Sequence, residues 1–155
     1  MTPDRCCGYR LGVEVTLHSS ESSPAVGWIQ FREGRLSRRF FRCTGSFSVD
    51  GDEWSVELEM IGPYREMMLE FFEELAEQAS GWQGKKHWRS EFAQMYLDAS
   101  FEGDGEVRVD VLMCWAPQYE IEQRGSLRVR ADELPNVARH LRRFLKVGAT
   151  TPTRP

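Results

Sequence analysis

No apolar run in this 155-residue chain approaches the roughly 18 residues that a membrane span requires. Met1–Arg10 has no apolar stretch behind its charges of the kind a secretory signal carries. A cytoplasmic protein with no membrane association is therefore expected. Cysteine is sparse: Cys6, Cys7, Cys43 and Cys114 form no C-x-x-C pair, which argues against a disulfide framework and a local zinc site. Cys6 and Cys7 are expected to be ordinary reduced thiols. Cys43 and Cys114 fall in strand-like runs and read as small hydrophobes.

Catalytic signatures are missing as well. The three histidines, His18, His87 and His140, are far apart and form no H-E-x-x-H or H-x-H arrangement. There is no G-x-S-x-G, no G-x-x-x-x-G-K-[ST] and no G-x-G-x-x-G, so neither a nucleophile elbow nor a phosphate-cradling loop is indicated. E-G-D-G-E, Glu102–Glu106, lacks the ligand spacing of a calcium loop and reads as a turn. No catalytic residue, metal or cofactor is assigned. Excess positive charge is absent too, since the net charge is −4, which gives no general attraction to a phosphate backbone.

What is present is a composition able to fold. Hydrophobic residues at 41% and aromatics at 12% supply a core, and the length suits one domain, expected over residues 1–147 with a disordered tail at 148–155. The first half alternates with the period of a strand. Leu11, Val13, Val15 and Leu17 share a face, and a short strand follows at Gly27–Phe31. From Arg38 to Val49, Phe41, Cys43, Phe47 and Val49 share one parity; after Asp50-Gly51, Trp54, Val56, Leu58 and Met60 repeat it, predicting a hairpin.

The period then changes to that of a helix. After Pro63, Tyr64, Met67, Met68, Phe71, Phe72, Leu75 and Ala79 form one stripe, with glutamates opposite, and Gly81 is a natural stop. Strand-like runs resume at Ala93–Ala99 and Val107–Trp115, joined by Gly103-Asp104-Gly105. Ala116-Pro117 precedes a third run from Tyr119 to Val129. Asp132 is placed to cap a last helix carrying Leu134, Val137, Ala138, Leu141, Phe144 and Leu145. Strands, helix, strands, helix predicts an α+β domain: a largely antiparallel sheet of about six to seven strands with two amphipathic helices on one face.

Strand parity places Glu57, Glu59, Phe92, Tyr96, Asp110, Leu112, Glu120 and Glu122 opposite the helix-packed side. An acidic face with embedded aromatics suits a protein partner. The competing expectation is that a curled sheet buries Phe92, Tyr96 and Leu112. Within G-W-Q-G-K-K-H-W-R-S, Gly81–Ser90, the tryptophans are expected to pin a crossing to the core, leaving Lys85, Lys86 and His87 as its solvent-facing tip.

Three segments occur in order: G-W-Q-G-K-K-H-W-R-S, then L-D-A-S-F-E-G-D-G-E-V-R-V-D-V-L, then R-G-S-L-R-V-R-A-D-E-L-P-N-V-A-R-H-L-R-R-F-L. Together they resemble a family of small bacterial proteins of unknown function with a W-x-G element, a glycine-rich hairpin and a C-terminal amphipathic helix. In layout, residues 54 to 146 are similar to the immunity protein of a cell-wall-associated tRNA nuclease toxin. The resemblance brings no catalytic residues. It implies a non-enzymatic, immunity-like protein that neutralises a toxin by surface complementarity.

Two alternatives stand beside that expectation. One is an enzyme whose site is assembled from dispersed Cys, His and carboxylate residues, for which His18, His87 or a cysteine must meet a carboxylate in a concave pocket. The other, less favoured, is nucleic-acid binding through Lys85, Lys86, Arg89 and Arg128 with Trp82 and Trp88 as stacking platforms.

Overall fold

A computed structural model describes residues 14–115 and 120–147. The expectations for Cys6, Cys7, Leu11, Val13, the Ala116-Pro117 break, Tyr119 and the tail lie outside the described residues. Within them the chain runs β1 (Val15–His18), β2 (Gly27–Leu36), β3 (Phe40–Val49), β4 (Asp52–Ile61), α1 (Tyr64–Glu77), β5 (Lys85–Arg89), β6 (Met95–Gly103), β7 (Glu106–Trp115) and β8 (Ile121–Arg130). A 3-10 turn at Ala131–Glu133 then leads into α2 (Leu134–Leu145). Four strands followed by a helix thus occur twice in succession.

The fold is α+β, but the single sheet of six to seven strands is corrected to two. Each is a four-stranded antiparallel meander, in the orders β1-β2-β3-β4 and β5-β6-β7-β8. The physical reason is that alternation tells which face of a strand is buried, and leaves open which edge meets which. Among the described residues no strand continues the edge of β4. Trp115 Nε1 donates to Ser55 O at 3.1 Å and Gln94 Nε2 to Glu57 O at 3.3 Å, so side chains occupy two of its outward carbonyls.

The expected hairpins form. Asp50 and Gly51 both take positive φ, at 51° and 94°, as a two-residue turn between twisted strands requires, and Val49 pairs with Asp52 across it. Asp104-Gly105 joins β6 to β7 in the same way.

Inner-face side chains of both sheets and the buried faces of both helices form one hydrophobic cluster. The sheets meet where side chains are missing: a Cβ on Gly125 would lie 2.7 Å from Phe47 Cε2, and one on Gly45 would lie 2.9 Å from Met95 Sδ. The helices pack on each other, with Arg142 donating to Glu73 at 2.7 Å. Against the first sheet, Phe72 meets Phe31 edge-on at 6.2 Å and Phe144 meets Phe41 at 5.5 Å.

Both helices depart locally from their predicted form. In α1 the buried residues are Met68, Leu69, Phe71, Phe72 and Leu75, whereas Tyr64 and Met67 are 38% and 50% exposed. The helix ends at Glu77, ahead of Gly81, whose φ of 139° belongs to the turn that brings Trp82 back onto Phe101. Asp132 does not cap α2. Its carboxylate is held by Arg130, and α2 starts at Leu134 with Glu133 at the N-cap and no side-chain cap.

Candidate functional site

Lys85–Arg89 forms a strand that alternation does not announce, since Trp88 is its one apolar residue. Pairing with β6 holds it, Trp88 opposite Leu97 and Lys86 opposite Ala99. Trp88 is 7% exposed and meets Phe31 edge-on at 6.2 Å, anchoring the strand to the core. The turn that follows is organised by the buried Ser90, whose Oγ accepts from Gln94 N at 3.0 Å and Met95 N at 3.1 Å.

Among the described residues the two long outer edges, of β4 and β8, are each met at a few points. That of β4 carries Trp115 and Gln94, as above. That of β8 is met by the loop after β1, where Ser20 N donates to Arg128 O at 2.7 Å and Arg128 N to Ser23 Oγ at 3.0 Å. β1 is only four residues long and packs beside α2. The edge of β5 is different. Ser90 N donates to Met95 O at 2.8 Å, so the alternation of an antiparallel ladder turns the backbones of Lys86 and Trp88 toward β6 and those of Lys85, His87 and Arg89 away from it. Among the described residues, those outward N–H and C=O groups have no hydrogen-bond partner.

Beside this edge lies a groove of about 940 Å³ whose other wall is α1. Tyr64, Met67, Glu70, Phe71 and Glu74 line it from the helix. Contacts flank it on two sides. At one, Ile61 N donates to Glu91 Oε1 at 2.6 Å, joining the last residue of β4 to the turn after β5. At the other, Lys86 binds Glu74 across the groove and lies over the Trp82 ring at 5.8 Å. The Lys86–Glu74 contact joins β5 to α1 directly.

Exposed apolar groups gather here. Of the six large hydrophobic residues exposed among the described residues, Tyr64 and Met67 line the groove. Three residues apart on one helix, they form one apolar patch, whereas scattered single residues would not.

The residues picked out by parity are divided between two surfaces. Glu57 and Glu59 project from the outer face of the first sheet, where Thr44 donates to Glu57 at 2.8 Å and Arg42 to Glu59 at 2.8 Å. Tyr96, Asp110 and Leu112 line a hollow of about 460 Å³ on the outer face of the second sheet, which shares Lys85, Tyr96 and Asp98 with the groove. Asp110 receives Arg108 at 2.9 Å and Ser126, with Lys85 at 3.9 Å; Glu122 receives Arg124 at 3.1 Å. Glu120 is exposed just before β8. One continuous acidic face is thus corrected to two outer faces, on which Glu59, Asp110 and Glu122 are ion-paired, because the chain builds two sheets where parity counting assumes one. Phe92 is 42% exposed in the turn after β5. Sequence reasoning missed Tyr64 and Met67, which the helical period assigns to the core; their signal was a stripe wider than one packing face needs.

His87 Nδ1 lies 2.6 Å from Asp98 Oδ1, and both line the groove. His18 and His140 are exposed elsewhere. The expected tip of Lys85, Lys86 and His87 is corrected to a paired strand in which Lys86 points inward to Glu74. Burial holds the thiols of Cys43 and Cys114 above their ordinary pKa, with Glu57 and Glu122 adding to the effect. Neither is a ready nucleophile. Trp88 is buried and Trp82 packs on Phe101, so the two are not open platforms for bases, and Arg128 is paired with Glu102. Among the described residues no three His, Cys, Asp or Glu side chains converge as metal ligands. No described helix is long and apolar enough to cross a membrane.

No curated protein matches the chain. Residues 21–148, which include both sheets' β2–β8 and both helices, match a family of unknown function, DUF6228, and the chain belongs to that family.

Proposed function

We propose that this is a non-enzymatic protein-binding domain of the immunity type, which neutralises a toxin by covering part of its surface in the cytoplasm. The observation that carries it is the apolar patch at the α1–β5 groove, where Met67 and Tyr64 stand exposed beside a bare strand edge. The likeness of residues 54–146 in layout to an immunity protein supplies the kind of partner. The ion-paired carboxylates of the outer faces, Glu59, Asp110 and Glu122, contribute specificity more than attraction, since exposed ion pairs are worth about 0–1 kcal/mol.

A second reading rests on the His87–Asp98 pair, in which a carboxylate orients an imidazole in a concave site as general-base chemistry requires. One titration separates the two. Co-expressed with the product of the neighbouring gene, the protein is expected to co-purify with it and to protect cells or substrate only up to equimolar toxin. Protection by far less than one equivalent, lost in His87→Gln, would favour the enzyme. No complex and no protection with any adjacent candidate would remove the immunity reading.

A further inference from the structure

We infer that β5 takes up an extended segment of a protein partner as a fifth strand of the second sheet, in the groove beneath α1. This rests on the protein-binding reading and specifies how the partner is held.

The argument begins with the backbone. Lys85, His87 and Arg89 present outward N–H and C=O groups at every second residue over a strand about 17 Å long at roughly 3.3 Å per residue. This is the pattern to which another strand pairs, and unpaired edges are ordinarily covered or shortened. Among the described residues no backbone group of this edge is bonded outward, whereas β4 is met at Ser55 O, Glu57 O and Ile61 N and β8 at Arg128, and a groove of about 940 Å³ lies beside it. The Lys86–Glu74 contact sets helix and strand relative to each other before anything binds, which lowers the ordering cost of binding.

Side chains then specify the occupant. Alternate residues of an added strand would point inward, as Lys86 and Trp88 do, onto Met67 and Phe71 of α1, where apolar groups are favoured. The remaining residues would stand on the outer face beside Lys85, His87 and Arg89. Lys85 is 3.9 Å from its nearest carboxylate and Arg89 has no ion-pair partner among the described residues, so acidic residues are favoured there. The segment is therefore five or six residues of alternating apolar and acidic type. The same cations discourage a second copy of this chain, whose own β5 would set lysine and arginine against lysine and arginine.

The test uses soluble peptides of about ten residues that alternate Asp or Glu with Val, Leu or Phe, against peptides of the same composition in block order. Alternating peptides are expected to bind the full chain more tightly, and to slow amide exchange at Lys85, His87 and Arg89 but not at exposed amides of β1. His87→Pro removes one outward N–H at an edge position where proline is tolerated, so the fold should persist while affinity falls about tenfold. Met67→Glu, on an exposed helix position, should weaken binding similarly. Equal binding of block and alternating peptides, protection confined to other strands, or dimerisation through β5 would each overturn the inference. If the neighbouring-gene product binds His87→Pro as well as wild type, strand addition fails while the protein-binding reading stands; if it does not bind wild type at all, that reading fails on its own.

Discussion

Cys43 lies opposite Leu58 in the centre of the first sheet and is 1% exposed. Burial disfavours its thiolate, so its pKa in the folded protein stands well above the ordinary 9.0. Above that ordinary value the unfolded chain gives up the thiol proton and the folded chain keeps it. Stability is therefore whole below about pH 9 and declines as the pH rises past it. Urea midpoints between about pH 8 and about pH 10 should fall more steeply for wild type than for Cys43→Ala; equal slopes would refute the burial argument. At this scale the sequence was informative for Cys43, whose strand parity is that of Phe41 and Phe47. It misjudged Met67, because a helical stripe specifies which residues neighbour each other and leaves open how much of the stripe is covered.

At the scale of elements, the position of β5 depends on one hydroxyl. Ser90 Oγ serves two backbone N–H groups in a turn where Ala93 holds φ at +61°, and this turn is bonded to the last residue of β4 through Glu91. Ser90→Ala would leave Gln94 N, and in part Met95 N, without that acceptor, at a cost of about 1–3 kcal/mol. Urea unfolding should record the loss, and amide exchange should quicken at Gln94 and Met95. Unchanged exchange at both would show that the turn is held otherwise. The hairpin at Asp50-Gly51 was readable because its turn residues and flanking alternation agree. β5 was not. An edge strand with three cationic residues and one buried tryptophan has no alternating apolar signal, and its identity comes from pairing with β6.

For the whole molecule, the closeness of the two sheets is set by glycine. A methyl group on Gly125 would meet Phe47 Cε2 at 2.7 Å and Val49 Cγ2 at 3.1 Å, and Phe47 has no solvent on which to retreat. Gly125→Ala should therefore cost about 1–3 kcal/mol by overpacking, seen as a lower melting temperature; an unchanged one would mean that the sheets separate freely. By itself the sequence determined the local periods, the two tight hairpins, the α+β class and nearly every buried residue of the strands, because these follow from backbone geometry and from which side chains avoid water. Tertiary structure alone decided that there are two sheets, that Glu57 and Tyr96 belong to different ones, and that α1 turns Tyr64 and Met67 toward an open strand edge. Strand order and helix placement depend on contacts between residues far apart in the chain, here Gly125 with Phe47 and Glu91 with Ile61, and no local pattern encodes which distant surface a strand or helix will meet.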